Sequence, residues 1–298
     1  MRRTVTAAIA GAVVCLAAIS AFGEALSTIN SSNKWAWAEG TGWIDCRTDP
    51  TNGMIIGQYV CSGHMWNEGV GWIFLGNGNP TNGIRYTNES PEDYGVNHDG
   101  KGNLRGYAWS PSAGWIHFEE TGAPTVDLTT GLFSGFAWGE GVGWMSFDNL
   151  QSYLQTDGLA AGDDLDGDNI PDAWERSTTG VTNLDVIGGS DGSQDSDSDG
   201  ITDYYEYVGG TDPEDPNDYL KLVGMSSVGG DIQIEWASEE TRTYVIEQID
   251  DLTDPAGWTT NILGVISPDA GTNSTEVLSD GVLTQRFYRI KALVPLSE

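Results

Sequence analysis

Positive charge is what this sequence has least of: 13 Lys and Arg stand against 44 Asp and Glu, for a formal net charge of −31. Such a surface repels nucleic acid and anionic membranes, so neither is an expected partner. Histidine is scarcer still, with three residues. None of His64, His98 and His117 has a second metal donor at useful spacing, and His117, between Ile116 and Phe118, reads as a surface or edge residue. No serine-centred nucleophile elbow, phosphate loop or dinucleotide fingerprint occurs. A glycosidase pair could be drawn from the acids, but among 44 of them any pairing is uninformative. No enzyme is expected, and a secreted hydrolase ranks third among the readings. Long apolar runs are also missing, apart from Ala7 to Ile19. That run follows Arg2 and Arg3 and precedes Ala21, Phe22 and Gly23, the pattern of a cleaved signal peptide over residues 1–23. It is short for a membrane span, so an uncleaved anchor is the weaker alternative. Cys15 lies inside it, but Val14 stands where a lipoprotein signal needs a small residue. Cleavage removes two positive charges and no acid, leaving −33 on an exported chain with no membrane span.

Against these absences stands one acidic pattern that occurs twice. Asp164, Asp166, Asp168, Asp172 and Glu175 share their spacing with Asp195, Asp197, Asp199, Asp203 and Glu206, thirty-one residues on. Calcium takes six to eight oxygens, and a loop offering positions 1, 3, 5, 7, 9 and 12 supplies them, position 7 through its backbone carbonyl, here Ile170 and Ile201. Position 6 is Asn169 in one loop and Gly200 in the other, the residue types that turn most cheaply through the left-handed region. A solvated acidic tail would not repeat this arrangement. The segments entering the loops, residues 160–163 and 188–191, carry Gly162, Gly188 and Gly189 where an EF-hand needs its entering helix, and the apolar residue is at position 7 rather than 8. The run Asp195, Ser196, Asp197, Ser198, Asp199, Gly200, Ile201, Thr202, Asp203, Tyr204, Tyr205, Glu206 instead resembles the calcium repeats of the thrombospondin type 3 and bacterial Asp-rich linker kind. One short helix is expected after each loop. Pro171 suits its first turn and Thr202 an N-cap, with Gly180 and Gly209 as stops. Arg176 is the only basic residue between Asp157 and Asp218, so without a cation this region is expected to be loose.

Upstream, a tryptophan phrase recurs four times. Its tryptophans are Trp37 and Trp43, Trp66 and Trp72, Trp109 and Trp115, and Trp138 and Trp144. First tryptophans are separated by 29, 43 and 29 residues, so the block is a pair duplicated at 72. Alternating segments around a Gly-rich turn predict a β-hairpin for each unit, with a preceding segment such as Gly131 to Ser134 as a third strand. Isolated hairpins are marginal, so the four are expected to bury their Trp and Ile faces together in a closed barrel, a propeller-like ring or a stacked sheet. A packed core is favoured over an exposed sugar-stacking platform. Glu39, Glu68 and Glu140 occupy the turns but Pro111 replaces them in the third unit, which argues against a shared catalytic role. Shifting Cys46 and Cys61 by 72 lands on Phe118 and Phe133. If those two phenylalanines touch, the cysteines should as well, and in an exported chain a Cys46 to Cys61 disulfide is expected. The phrase resembles a repeat of exported, largely uncharacterised bacterial proteins, which implies a β-rich module and carries no activity with it.

After the turn-rich Thr211 to Asn217, six short alternating segments between Tyr219 and Leu293 predict a small β-sandwich. Arg242 to Tyr244, Trp258 and Phe287 to Arg289 loosely resemble terminal β-modules that follow Asp-rich linkers. The expected fold is mainly β: a four-hairpin Trp-repeat β domain over 24–150, a linker over 151–162, a calcium-loop connector with short helices over 163–218 and a C-terminal β-sandwich over 219–298. The expected protein is secreted or at the cell surface and non-catalytic, a surface, matrix or adhesion component in which calcium rigidifies the connector between two β domains. A carbohydrate- or surface-binding protein using the Trp repeats, with glycans or cell-surface components as partners, is the alternative.

Overall fold

The computed structural model describes residues 26–119, 122–149, 152–178, 186, 192–254, 256–260, 263–279 and 285–297, so the signal segment 1–23 lies outside the described residues. The protein is mainly β. Its chain divides into two compact units, one holding the described residues of Ala17–Ser190 with Leu296 and Ser297, the other those of Asp191–Pro295.

In the first unit, alternation along short strands produces four hairpins. They are β1 (Ile29–Ala38) with β2 (Gly42–Asp45), β4 (Cys61–Asn67) with β5 (Gly71–Asn77), β7 (Leu104–Ser110) with β8 (Gly114–His117), and β11 (Phe136–Gly139) with β12 (Gly143–Ser146). Short strands β3 (Met54–Ile56) and β6 (Val96–His98) extend the second and third hairpins, and β13 (Asp148–Asn149) and β14 (Ser152–Thr156) continue from β1. The expected third strand of the fourth unit forms differently: β10 (Phe133–Ser134) pairs with β9 (Thr125–Val126) as a separate ribbon. Consecutive hairpins pair edge to edge, and β12 returns to β1 through Trp37 opposite Ser146 and Ala38 opposite Met145. Eight strands therefore close into an antiparallel barrel. Each turn has three residues between a closing pair such as Ala38 and Gly42, followed by a glycine held left-handed: Gly42, Gly71, Gly114 and Gly143 have φ of 86°, 77°, 77° and 73°. That geometry is the three-residue hairpin loop with a glycine bulge, and it accounts for the one glycine present in all four turns.

The tryptophans are not the core. Ala36, Ala38, Ile44, Met65, Ile73, Ala108, Ile116, Ala137 and Met145 fill the barrel at 0 % exposure. Trp37, Trp43, Trp66, Trp72, Trp115 and Trp144 point outward, between 38 and 42 % exposed. The reason is geometric. A small closed ring has room inside for one medium side chain per strand pair and small ones beside it, and the two-residue alternation puts the indoles on the other face. There they pair across the first three hairpins, Trp37 with Trp43 and Trp66 with Trp72 edge to face at centroid distances of 5.0 and 4.8 Å, and Trp109 with Trp115 tilted at 4.7 Å, while Trp144 meets the edge of Phe136 at 6.4 Å. Edge-to-face contacts of this kind add about 0.5–1.5 kcal/mol per pair. His117 shares that outer face, against Tyr107 and Trp138.

The expected disulfide is also absent: Cys46 and Cys61 are buried free thiols. Phe118 and Phe133, the positions equated with them, each contact Phe147, at 5.8 and 6.2 Å. A third ring thus joins them, and its counterpart at a shift of 72 is the buried Leu75. Burial pushes the Cys61 thiol up to about 12 and raises Cys46 further still, so both stay protonated. His98 ties the outer strands to the barrel from a fully buried position. Its Nδ1 lies 2.9 Å from the Gly57 carbonyl and its Nε2 accepts from the Gly102 amide at 3.0 Å, which assigns the proton to Nδ1. Burial holds its pKa below the ordinary 6.5.

In the second unit β15 (Leu222–Val228), β16 (Asp231–Ala237) and β19 (Asn273–Leu278) form one sheet; β18 (Thr259–Thr260), β17 (Thr243–Ile249) and β20 (Phe287–Leu293) form another. Ile232, Ile234 and Trp236 from the first sheet and Tyr244, Ile246, Tyr288 and Ala292 from the second share one buried cluster, the core of a small sandwich.

Two outcomes are expected in urea denaturation. Gly114→Ala adds a Cβ that meets nothing within 4 Å, leaving only left-handed strain, about 1 kcal/mol. Gly141→Ala places its Cβ 2.6 Å from the Cα of Ala113 and should cost more, about 2–3 kcal/mol; equal losses would contradict the turn packing. The pH dependence follows from His98. The unfolded chain takes up a proton near pH 6.5 that the folded ring resists, so this contribution is complete above 6.5 and is lost as pH falls below it. The difference in unfolding free energy between wild type and His98→Gln should shrink between pH 7 and 5, and a constant difference would refute the assignment.

Candidate metal centre

Both acidic segments fold into the same looped shape. In the first, Asp164 accepts from the amides of Gly167 at 2.8 Å and Asn169 at 3.1 Å, and Asp168 accepts from the Ile170 amide at 2.8 Å. In the second, Asp195 accepts from Asp199 at 3.1 Å and Gly200 at 2.9 Å, and Asp199 accepts from Ile201 at 2.7 Å. Asn169 and Gly200 turn through the left-handed region, with φ of 74° and 98°. These local bonds fold each loop inward on its own carboxylates. The result brings Asp164, Asp166 and Asp168 together, and likewise Asp195, Asp197 and Asp199, with one oxygen of each lying within 4.8 Å of the others in its set. Each triplet can hold a metal ion.

The ninth-position acids hold their loops closed. Asp172 accepts from the Leu165 amide at 2.9 Å and pairs with Arg176 at 3.2 Å. Asp203 accepts from the Ser196 amide at 3.0 Å and hydroxyl at 2.8 Å. Their own amides bond to the carbonyls of Asp163 and Gln194. Both therefore clasp the loop. Each loop then runs into a single short helix, α1 (Asp172–Ser177) or α2 (Asp203–Gly209). Pro171 and Thr202 occupy the N-cap positions without a side-chain cap bond, and α2 stops at the left-handed Gly210, one residue past the expected Gly209; the expected stop Gly180 lies outside the described residues. Residues 160–163 enter the first loop without helix, as expected, and residues 188–191 lie outside the described residues.

The twelfth-position acids lie on these helices and are buried, Glu175 at 4 % and Glu206 at 0 % exposure. Both carboxylate oxygens of Glu206 lack a hydrogen-bond partner, as does Oδ2 of Asp197. Burial first, then the charges of Asp197, Asp199, Asp203 and Asp195, push the Glu206 carboxyl up to about 8. Asp197 is raised too, by burial and then by Asp199 and Asp195. Ile170 is fully buried and Ile201 half-buried, at the position whose carbonyl the pattern assigns to a ligand. What sequence reasoning missed are the clasps, Ser196 with Asp203 and Arg176 with Asp172, and the anchoring of α2. Arg242, thirty-four residues from Val208, donates to its carbonyl at 2.9 Å and to that of Tyr207. The i, i+4 spacing of Asp172 and Arg176 was available as a signal; nothing local in the chain pointed to Arg242. The two loops fall in different compact units, the first with the barrel and the second with the sandwich.

No protein-family model matches the chain, and neither a curated protein nor a solved structure matches it.

Proposed function

We propose that this is an exported, non-catalytic modular protein whose two Asp-rich loops bind calcium, the cation ordering the connector between its two β domains. The observation that carries the reading is Glu206. A fully buried carboxylate with neither oxygen hydrogen-bonded, and close enough to Asp195, Asp197 and Asp199 to be raised by their charges, is costly unless a cation neutralises it. The donor set is all oxygen, which suits a hard cation and not zinc or copper. Calcium further fits the paired twelve-residue spacing, the left-handed sixth position and the thrombospondin type 3-like pattern. The ordinary range for extracellular calcium modules is about 0.1–1 mM. With the signal-like N-terminus and the acidic surface, the favoured setting is outside the cell, as a surface, matrix or adhesion component.

A second reading has one specific observation behind it, the outward tryptophans of the barrel. Six indoles about 40 % exposed make a carbohydrate- or surface-binding role more attractive than a buried core would. Against it, the pairs stand edge to face rather than coplanar, which satisfies the rings by one another and offers no flat sugar platform. It ranks second. Quenching or shifting of tryptophan emission by a glycan would raise it.

The test is calorimetric titration of residues 24–298 with calcium after EDTA treatment, with thermal melting alongside. Two sites and a raised melting temperature are expected, and Glu206→Gln should remove one site. No heat at millimolar calcium in the wild type would end the calcium reading. The pH dependence has a definite sign. In the metal-free protein the raised Glu206 pKa favours the folded state most below the ordinary 4.5, and that contribution is lost as pH rises through about 8. Calcium displaces that proton, so affinity at this site should climb between pH 6 and 8, with proton release detectable in buffers of different ionisation enthalpy.

A further inference from the structure

We propose that Arg242, on the sandwich, is a positioning residue of the second cation site, so that this site belongs to the C-terminal module and not to the acidic segment alone. The inference rests on the calcium reading above and names what holds one of its two sites in shape.

Helix α2 is seven residues long, too short to be stable by itself, yet it must present Glu206 at a fixed point. Its start is held by the loop: the Glu206 amide donates to Thr202 at 3.0 Å, that of Asp203 to Gln194 at 2.8 Å and that of Tyr204 to Gly192 at 3.2 Å. Its end is where an isolated helix would fray, because the last carbonyls have no partner within the helix. Here those of Glu206, Tyr207 and Val208 are answered. The Glu206 carbonyl accepts from Gly210 at 2.7 Å and Thr211 at 3.1 Å. The next two carbonyls, of Tyr207 and Val208, accept from Arg242, whose guanidinium also lies 5.7 Å from the Tyr207 ring centroid. Arg242 is 8 % exposed and immediately precedes β17, whose Tyr244 and Ile246 are sandwich core. Its fork is therefore fixed to the sandwich at one end and to the helix at the other. Gly210, left-handed at φ 78°, passes so close that a Cβ there would stand 3.0 Å from Cγ of Arg242. Each element of this chain of contacts lies in the second unit.

The consequence is selective. Loosening the end of α2 should mislocate the Glu206 carboxylate and weaken the second site while leaving the first, which has its own helix, untouched. Calorimetry on the mature chain reads both sites in one experiment, so the first loop is an internal control. Arg242→Met is expected to weaken one of the two sites by roughly tenfold or more and leave the other unchanged, and to do so without abolishing the folded baseline. Arg242→Lys should not restore it, since an ammonium cannot fork to two carbonyls as a guanidinium does. Ile246→Val, which loosens the sandwich core without touching α2, should leave both affinities as they are. Should Arg242→Met fail to fold, Gly210→Ala presses on the same contact and is expected to give the same one-site loss. In the wild type, calcium should slow amide exchange at Thr243–Ile249, by the reciprocity that linked equilibria require. Unchanged affinities in both Arg242 and Gly210 variants, equal weakening of both sites, or exchange at Thr243–Ile249 indifferent to calcium would each overturn the assignment of Arg242. These leave calcium binding itself standing, whereas a wild type that binds no calcium removes both.

Discussion

Side-chain alternation across short antiparallel strands is the constraint on which the rest of the first unit depends. Once eight strands of four to ten residues close on themselves, every second residue faces a narrow interior, and only Ala, Ile, Met and residues of similar or smaller bulk fit there. The indoles are displaced outward, where in the first two hairpins each meets its cross-strand partner edge to face. The turn glycines follow from the same closure, since a three-residue loop joining such tightly twisted strands needs one residue in the left-handed region. Barrel, belt and turns are thus three expressions of one packing condition.

In the acidic loops the governing term is electrostatic. Backbone amides satisfy several carboxylate oxygens in each loop, and these bonds fold the chain so that the remaining charge converges. Amide donors at Asp195 and Asp199 do not reach Glu206, which sits buried among like charges. A fold that gathers three aspartates near an unbonded, buried glutamate carries a standing cost that a bound cation would relieve. The division of labour within each loop is instructive. Odd-numbered acids at the start converge, whereas the ninth-position acid turns back to clasp the second residue.

Part of this was legible along the chain because it is local. The twelve-residue spacing, the left-handed residue at position 6, the hairpins and the six sandwich segments all depend on neighbours within a few residues. The burial of the tryptophans was misread because hydrophobicity ranks them as core while only the diameter of the closed ring decides which face is inside. The cysteine pairing failed for a similar reason. Equating Cys46 and Cys61 with Phe118 and Phe133 was sound as alignment, but the two rings share Phe147 as a common neighbour, and a third body is invisible to a pairwise argument.

By itself, then, the sequence determined the fold class, the hairpin turns, the separation of a tryptophan-rich part from a C-terminal strand-rich part, and two loops of convergent carboxylates. These are consequences of backbone preference and spacing over a dozen residues. Tertiary structure alone decided that the hairpins close into a ring, that the indoles lie outside it, that the cysteines stay unpaired, and that Arg242 reaches back to the end of α2. Each of these joins residues remote in the chain, and such contacts are selected by the volume and polarity of the whole assembled core, a quantity no short stretch of sequence contains.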